Sequence, residues 1–279
     1  MDRRLLRRVL VPDLSLARLC LSIVFIYASL ALLAWLFADR MIFLPPAPQY
    51  LDDGGILKLR TAAGERISAV YLPNPRADYT ILYSHGNAED LGVIQPILPV
   101  LRDLGFAVLA YDYRGYGTSE GRPSERASYQ DIGAAYEYLT RQLGLPAHRV
   151  ILYGRSVGAG PAVDLAARQP VGGLVLESPF TTAFRVLTRV PLLPFDKFRN
   201  LAKIPRVSCP VLVMHGLADD VVPASHGQRL FAAAREPKLS LWVSGAGHND
   251  FMWVAGARWA QALREFVSLI RRAQPAVGA

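Results

Sequence analysis

The sequence predicts an α/β domain with a mostly parallel sheet and helices on both of its faces. Short apolar runs of strand length alternate with longer stretches of helical periodicity between residues 80 and 272. This alternation is typical of strand-helix-strand units, which lay their strands parallel and cover the sheet with helices. Residues 51–279 are enough for one domain with a sizeable core, and no internal boundary is predicted within them.

Local patterns predict each element of this domain. Strands are predicted at 56–60, 67–72, 80–84, 107–111, 150–153, 173–176, 211–214 and 239–243, the first two as a hairpin. Helices are predicted near 93–104, 124–142, 158–169, 224–235 and 255–272. Ser124 is the expected N-cap of the second helix. Because ligands bind beyond the carboxyl ends of parallel strands, a functional site is expected in the loops that follow strands.

A long apolar segment precedes the domain. Residues 19–38 carry no charged side chain, and a helix of this length rises about 30 Å, which matches the hydrocarbon core of a bilayer. A signal peptide has a shorter apolar region, of about 7–15 residues, followed by small residues at a cleavage site. The end of this segment, Ala38-Asp39-Arg40, is a poor cleavage site. We therefore expect an uncleaved transmembrane anchor, followed by a linker at 39–50.

Arginines predict the orientation of this anchor. Only Arg40 closely follows the anchor, whereas five arginines precede it, namely Arg3, Arg4, Arg7, Arg8 and Arg18. By the positive-inside rule, residues 1–18 form a basic cytoplasmic N-terminus and the α/β domain lies on the far side of the membrane. In a bacterium the domain would be periplasmic.

Composition argues against several other classes of protein. The chain has 31 Lys and Arg against 23 Asp and Glu, a net charge of +8. Its arginines are scattered and no nucleic-acid-binding motif accompanies them, so we predict a solvated basic surface and no nucleic-acid partner. Cys20 lies in the anchor and Cys209 precedes a strand, so no disulfide is expected. No Cys or His spacing suggests a metal site, no cofactor is predicted, and a monomer is expected.

A G-x-S-x-G pentapeptide at 154–158 follows a predicted strand and leads directly into a predicted helix. A strand that turns sharply into a helix presents its serine hydroxyl at the turn, beside the helix N-terminus. A second copy, at 117–121, lies in a glycine-rich loop where no helix begins at the serine. We therefore predict Ser156, and not Ser119, as a nucleophile.

A serine nucleophile needs an imidazole to accept its proton and a carboxylate to orient that imidazole. His248 follows the last predicted strand, and Asp219 follows the strand before it. Both loops leave the carboxyl ends of strands, and the chain order Ser, Asp, His is that of the α/β-hydrolase fold. Asp220, next to Asp219, and Glu177, at the end of another strand, stay open as alternative carboxylates.

The other histidines have ordinary structural explanations. His85 and His215 each precede a glycine at a strand end, where a role in the turn is expected. His148 and His226 are predicted to be surface residues that flank helices.

Acyl transfer also needs donors for the oxyanion that forms on the substrate. Two backbone N–H groups would suffice. We expect them to be those of Val157, directly after the serine, and of Asn87, in the loop after the strand at 80–84.

An apolar insert lies between the predicted strands at 173–176 and 211–214. We expect a short cap at about 181–209, which either encloses its own small core or lines a groove for an acyl chain. In the second case Phe180, Phe184 and Leu187 are the candidates for substrate binding. The apolar residues of this stretch are Phe180, Phe184, Val186, Leu187, Val190, Leu192, Leu193, Phe195 and Phe198.

Five ordered motifs resemble those of the membrane-anchored α/β-hydrolases of the Bem family. They are S-H-G-N-A-E-D-L at 84–91, Y-D-Y-R-G-Y-G-T-S at 111–119, L-Y-G-R-S at 152–156, E-S-P-F at 177–180 and G-A-G-H-N-D at 245–250. That family includes eukaryotic serine hydrolases that remove palmitoyl groups from proteins. The resemblance implies the α/β-hydrolase fold, with Ser156 as nucleophile, Asp219 as acid and His248 as base. The apolar anchor differs from the cysteine-rich tail of the depalmitoylating branch.

The predicted function is hydrolysis of carboxylic ester or thioester bonds in acyl or lipid-like substrates through an acyl-enzyme. The expected partners are a small-molecule ester, thioester or lipid substrate, and the membrane that holds the anchor. One alternative is a non-catalytic module of the same fold, which would be expected to have lost members of the triad. The other is a serine peptidase of the same fold, which usually carries a larger gating domain.

Overall fold

The structure is a computed structural model that describes residues 16–188 and 190–273. Its contacts divide the chain into two units, residues 1–41 and 42–279. The membrane orientation was predicted from five arginines. Four of them lie outside the described residues, namely Arg3, Arg4, Arg7 and Arg8. The orientation therefore stays a prediction.

The first unit is dominated by one apolar helix, α1 (Leu16–Ile42). It has 27 residues and extends beyond the predicted 19–38 at both ends. Helices rise about 1.5 Å per residue, so α1 is long enough, as well as apolar enough, to cross a membrane.

The second unit is built on one eight-stranded sheet. Its strands are β1 (Leu57–Arg60), β2 (Arg66–Leu72), β3 (Thr80–Ser84), β4 (Ala107–Tyr111), β5 (Val150–Arg155), β6 (Gly173–Glu177), β7 (Val211–Gly216) and β8 (Lys238–Val243). They lie in the order β1-β2-β4-β3-β5-β6-β7-β8. β1 and β2 form the predicted antiparallel hairpin, and β2 is also antiparallel to β4. All strands from β4 to β8 in this order run parallel, which confirms the predicted fold class.

Helices cover both faces of the sheet, as predicted. Those of the second unit are α2 (Leu91–Ile94), α3 (Ile97–Asp103), α4 (Glu125–Glu137), α5 (Ala159–Ala166), α6 (Ala183–Leu187), α7 (Asn200–Lys203), α8 (Ser225–Ala233), α9 (Phe251–Ala255) and α10 (Ala257–Ala273). α4, α5 and α8 bury apolar side chains in one core, with Ile132, Val163 and Leu230 among them. α3 and α10 do so in a second core, which includes Leu98 and Phe266. The two cores therefore lie on opposite faces of the sheet.

One predicted helix is interrupted. The helix predicted at 93–104 is divided into α2 and α3, because Pro96 between them lacks the amide hydrogen that a continuous helix needs. The helix predicted at 255–272 is α10, and the short α9 before it was not predicted. Gly256 separates α9 from α10 with a φ of 53°, a conformation that glycine adopts without strain. α4 begins as predicted, since Ser124 Oγ accepts a hydrogen bond from the Ala127 amide at 3.0 Å.

The parallel register sets the level at which a site can be built. Ser84 at the end of β3 pairs with Gly154 of β5, and Arg155 pairs with Glu177 of β6. β5, β6 and β7 each continue one or two residues past their predicted carboxyl ends. These last residues are polar or small, so a pattern of apolar residues does not reveal that they still pair with neighbouring strands.

Residues 42–50, expected to belong to a linker, are held against the domain; we call them the entry segment. Phe43 is buried in the apolar core. The amide of Gln49 donates to Asp90 Oδ2 at 2.7 Å, and the hydroxyl of Tyr50 donates to Asp112 Oδ2 at 2.6 Å. The entry segment is thus fixed to the loops that follow β3 and β4.

The insert after β6 contains α6 and α7 and is organised around one carboxylate. Asp196 accepts hydrogen bonds from Thr182 Oγ1 at 2.5 Å and from the Phe184 amide at 2.9 Å. Phe184 and Phe195 contact each other edge to face, with ring centroids 5.9 Å apart. Phe198 is fully buried in the core of the domain and anchors the insert there.

Candidate active site

Ser156 lies at the sharp turn between β5 and α5. Its φ of 52° is a left-handed conformation that is uncommon for a residue with a side chain. Two glycines make room for the turn. A Cβ on Gly154 would lie 2.8 Å from the Ala159 nitrogen, and a Cβ on Gly158 would lie 2.8 Å from the His85 carbonyl oxygen. The pentapeptide therefore forms a strand-turn-helix with its serine at the apex.

Ser156, His248 and Asp219 form a hydrogen-bonded chain. His248 Nε2 lies 2.9 Å from Ser156 Oγ, and His248 Nδ1 lies 2.8 Å from Asp219 Oδ2. His248 and Asp219 are only 8% and 7% exposed. The three side chains come from the loops after β5, β8 and β7, so the parallel sheet brings together residues that are far apart in the chain.

The carboxylate of Asp219 is held by donors on both of its oxygens. Oδ1 accepts hydrogen bonds from the amides of Val221 at 3.0 Å and Val222 at 2.7 Å. Oδ2, which faces His248, also lies 3.2 Å from His215 Nε2. Burial alone would raise the pKa of Asp219, but the hydrogen bonds from His215, His248 and the Val222 amide hold that pKa well below its usual value. The side chain is therefore ionised at neutral pH.

The two alternative carboxylates point elsewhere. Asp220 is exposed. Glu177 is 2% exposed, but its carboxylate accepts a short hydrogen bond from the Tyr153 hydroxyl and lies 3.2 Å from Arg155 Nε. Of the three candidates, Asp219 is the one in contact with His248.

The hydroxyl of Ser119, in the second G-x-S-x-G copy, is hydrogen-bonded to backbone groups. Its Oγ accepts a hydrogen bond from the Ser68 amide at 2.8 Å and donates one to the Asp112 carbonyl at 3.1 Å. These bonds tie the loop after β4 to β2. No helix begins at Ser119 in the described part of the chain.

The loop after β3 approaches the serine turn closely. Ser84 pairs with Gly154, and Gly158 leaves no room for a side chain against the backbone of this loop. The backbone amides of Asn87, in this loop, and of Val157, in the serine turn, stay the predicted donors to an oxyanion.

The side chain of Asn87 joins this loop to the entry segment. Its Oδ1 accepts hydrogen bonds from the Leu44 amide at 2.9 Å and the Tyr116 hydroxyl at 2.7 Å. Its Nδ2 donates to the Ile42 carbonyl at 2.5 Å. The position of the Asn87 backbone thus depends on contacts with residues about 40 positions earlier in the chain.

Arg155, next to Ser156, connects the loops that carry the site. It forms a short ion pair with Glu89 of the β3 loop and a second ion pair with Glu177. Its Nη2 donates to the His248 carbonyl at 3.3 Å and to Asn249 Oδ1 at 3.2 Å. Burial alone would lower the pKa of Arg155, but the two carboxylates raise it above its usual value, so the guanidinium stays charged.

Glu89 carries this connection into the β3 loop. Its Oε2 accepts a hydrogen bond from the Gly86 amide at 2.6 Å, one residue before Asn87. Arg155 therefore links the serine turn, the histidine loop and the loop of Asn87 through one network of hydrogen bonds and ion pairs.

A second buried histidine lies under the same loop. His85 is fully buried, with Nδ1 2.7 Å from the Gly86 carbonyl and Nε2 3.4 Å from Asp112 Oδ1. Burial disfavours its protonation, but the Asp112 carboxylate and the Gly86 carbonyl raise the pKa of His85 above its usual value. Asp112 also accepts hydrogen bonds from the Tyr50 hydroxyl and the Leu91 amide. It therefore connects the loop after β3 to the entry segment.

The remaining histidines follow their predictions only in part. His148 is exposed, as expected. The prediction for His226 is wrong: it is 7% exposed, and its Nδ1 lies 3.0 Å from Thr181 Oγ1 and accepts from the Thr181 amide. Its face of α8 is covered by the insert, which a helix pattern alone does not reveal. His215 and Arg155 also make contacts in the site that the sequence analysis did not predict.

The three candidates for substrate binding lie in different environments. Phe180 is buried, with its ring 5.9 Å from that of Phe198. Phe184 is half-buried against Phe195, and Leu187 is 81% exposed. Within residues 16–188 and 190–273, no group of three or more His, Cys, Asp and Glu side chains could hold a metal ion.

Comparisons with known proteins place the chain in the α/β-hydrolase family. A family model described as "Serine aminopeptidase, S33" matches residues 75–199. Human alpha/beta hydrolase domain-containing protein 17B is 37% identical, over 83% of this chain and 90% of that protein. The Caenorhabditis elegans alpha/beta hydrolase domain-containing protein aho-3 is 41% identical, over 83% of this chain and 77% of that protein.

Solved structures with similar folds include an esterase and a monoacylglycerol lipase. The esterase Pf2001 of Pyrococcus furiosus superposes with a TM-score of 0.68 at 18% identity, over 81% of this chain and 95% of that chain. A monoacylglycerol lipase of Paleococcus ferrophilus superposes with a TM-score of 0.59 at 21% identity, over 74% of this chain and 99% of that chain. At these identities the likeness concerns the fold.

Proposed function

We propose that this chain, which belongs to the α/β-hydrolase family, is a serine hydrolase that cleaves carboxylic ester or thioester bonds of acyl or lipid-like substrates. The observation that carries the proposal is the hydrogen-bonded chain from Ser156 through His248 to Asp219, with distances of 2.9 and 2.8 Å. A serine hydroxyl is unreactive at neutral pH unless an oriented base removes its proton, and this arrangement provides one.

The first half of the reaction acylates Ser156. Its Oγ attacks the substrate carbonyl carbon while His248 Nε2 accepts the hydroxyl proton. Asp219 stabilises the imidazolium that results and keeps the proton of the resting imidazole on Nδ1. When the tetrahedral intermediate collapses, His248 donates its proton to the departing alkoxide or thiolate, and an ester to Ser156 remains.

The second half returns the enzyme to its starting state. A water molecule gives a proton to His248 and attacks the acyl-enzyme carbonyl, and His248 then returns that proton to Ser156 as the carboxylic acid leaves. In both halves the carbonyl oxygen becomes an oxyanion. The amides of Asn87 and Val157 are the proposed donors to this oxyanion. Loss of one such donor lowers kcat by a factor of about 10²–10³.

The surroundings of the site support this substrate class. The insert beside it contributes Phe180, Phe184 and Leu187, the proposed contacts for an acyl chain. α1 is proposed to anchor the protein in a membrane, with residues 1–18 cytoplasmic and the hydrolase domain on the far side. The names of the similar esterase and monoacylglycerol lipase support the same class of reaction.

Peptide hydrolysis is the second candidate, because the matching family model is described as a serine aminopeptidase. The same triad can attack an amide, but the amine leaves less readily than an alcohol or a thiol and has to be protonated by His248 as the C–N bond breaks. The two activities are separated by comparing the turnover of aminoacyl p-nitroanilides, which reports amide cleavage, with that of p-nitrophenyl esters, which reports ester cleavage.

A fluorophosphonate probe and an ester series test the proposal on the full-length protein in detergent. We expect the wild type to react with the probe and to hydrolyse p-nitrophenyl esters or acyl thioesters with a preference for a particular chain length. Ser156→Ala should lose both properties, whereas Ser119→Ala, the matched control, should keep both. Labelling that survives Ser156→Ala but not Ser119→Ala would reject the assignment. A protein that turns over none of these substrates would favour a non-catalytic module.

A further inference from the structure

Large apolar side chains are exposed mainly at one edge of the hydrolase domain. Within the described part of residues 42–273, twelve such side chains are exposed, and ten of them lie at or near the carboxyl ends of the sheet strands. We call these ten the apolar rim. They are Leu44, Leu51, Val93, Leu187, Val190, Leu192, Leu217, Val221, Trp253 and Val254.

The fold explains why these residues share an edge. Leu217 and Val221 are in the loop after β7, and Trp253 lies in α9, just beyond the loop after β8. Leu187 and its neighbours belong to the insert after β6. Leu44 is in the entry segment, which Asn87 holds against the loop after β3. All of these loops leave the same ends of parallel strands, where Ser156 and His248 also lie.

The exposure of the apolar rim indicates a binding surface. Trp253 is 79% exposed and Leu187 is 81% exposed. Single exposed apolar side chains are common, but a group of them on the loops around one site marks a surface that binds a protein, a membrane or a ligand. Tryptophan in particular is enriched where proteins meet the interface of a bilayer.

The course of the chain identifies which partner fits. The apolar helix α1 ends at Ile42, and Leu44 of the apolar rim follows two residues later. The Ile42 carbonyl accepts from Asn87, and Phe43 is buried, so the chain enters the domain at the edge that carries the rim. A chain that leaves a bilayer at the end of α1 therefore has only one or two residues between the lipid surface and this edge.

We propose that the apolar rim docks onto the lipid bilayer that α1 spans, so that the loops carrying Ser156 and His248 open toward the lipid surface. An acyl chain could then pass from the bilayer to the site without crossing water. This second statement rests on the proposed function and narrows its substrates to esters or thioesters held in the membrane. The docking itself does not depend on catalysis.

Site-directed spin labelling of the full-length protein tests the docking. Cys20→Ser and Cys209→Ser give a cysteine-free parent, into which Leu187→Cys, Trp253→Cys and Leu143→Cys are introduced singly. Leu143 is the matched control, because it is an exposed apolar residue just before β5, at the opposite edge of the sheet. Each labelled protein is placed in phospholipid nanodiscs, whose two faces are open to solution, and thermal melts check that it is folded.

Two collision rates are measured for each label. One is the rate with oxygen, which concentrates in lipid, and the other is the rate with a water-soluble nickel chelate. We expect the labels at 187 and 253 to collide more with oxygen and the label at 143 to collide more with nickel. Labels at 187 and 253 that are as accessible to nickel as the label at 143 would overturn the proposal. Protection of both labels from both reagents would also overturn it, since that result indicates a contact with protein.

The same parent separates this proposal from the proposed function. If the parent hydrolyses soluble short-chain esters while the labels at 187 and 253 in its single-cysteine derivatives face water, the docking is wrong and the hydrolase assignment stands. If those labels face lipid but the parent hydrolyses no ester or thioester, the docking stands and the assignment of function is wrong.

Discussion

His215 Nε2 lies 3.2 Å from Asp219 Oδ2, the oxygen that also accepts a hydrogen bond from His248. The Val222 carbonyl accepts from the same Nε2 at 2.8 Å, and a carbonyl cannot donate, so Nε2 carries a proton. His215 is therefore a second donor to the carboxylate. Together with the amides of Val221 and Val222 on Oδ1, it fixes the orientation in which Asp219 meets His248.

The first prediction concerns this carboxylate. Asp219→Asn places an amide where two histidines now find an acceptor, so the imidazole of His248 takes the wrong tautomer. We expect kcat for ester hydrolysis to fall by about 10⁴, as in other serine triads. Asp220→Asn is the control, because Asp220 is exposed, and it should change kcat less than about tenfold. A large loss for Asp220→Asn or Glu177→Gln, with Asp219→Asn active, would assign the acid to that residue instead.

The sequence predicted those parts of the fold and site that depend on local pattern. The strands are apolar runs, and Ser156, Asp219 and His248 each follow one of them. Because the ends of parallel strands meet at one edge, placing each residue in its loop was enough to predict that the three lie together.

The sequence did not predict the contacts that hold these loops in place. Arg155 pairs with Glu89, which is 66 positions away, and nothing in the pentapeptide reveals that partner. Asn87 contacts the entry segment, which reads as a proline-rich linker. His215 precedes a glycine at a strand end, which is typical of a turn residue, and the sequence does not reveal its contact with Asp219. Such contacts join side chains distant in the chain, so they appear only once the strand order is known.

The second prediction concerns Arg155. Arg155→Gln would leave the carboxylates of Glu89 and Glu177 unpaired in a site where they are 17% and 3% exposed. Removing one partner of a buried ion pair costs about 3–5 kcal/mol, so the Tm in detergent should fall by several degrees or more. We also expect kcat to fall more than KM changes, because the serine turn, the β3 loop and the histidine loop lose their common tie.

Arg141→Gln is the matched control for Arg155. Arg141 lies 3.5 Å from Glu137 on a helix surface, and both side chains are more than half exposed. Surface pairs of this kind contribute little to stability, so Tm and kcat should stay as in the wild type. Equal effects of the two substitutions would show that Arg155 does not organise the site.

The third prediction concerns Gly158 at the serine turn. In Gly158→Ala the new Cβ would lie 2.8 Å from the His85 carbonyl oxygen and 2.7 Å from the Ser84 carbonyl carbon. Backbone atoms on both sides have to move, so we expect a lower Tm and weaker fluorophosphonate labelling of Ser156. Gly133→Ala is the control, since a Cβ there has nothing within 4 Å and lies inside α4. It should stabilise the protein, by up to about 1 kcal/mol.

The last prediction concerns the pH dependence of kcat/KM for a soluble ester. The triad needs Asp219 in its ionised form, which orients His248 and stabilises the imidazolium that forms during the reaction. The pKa of Asp219 lies below its ordinary value of 3.8, and an acid with a lowered pKa stays ionised until the pH falls below that ordinary value. Protonation of Asp219 should therefore not lower kcat/KM between pH 7 and about 4, and log kcat/KM should not fall with a slope steeper than one in this range. A slope of two would mean that the carboxylate titrates there.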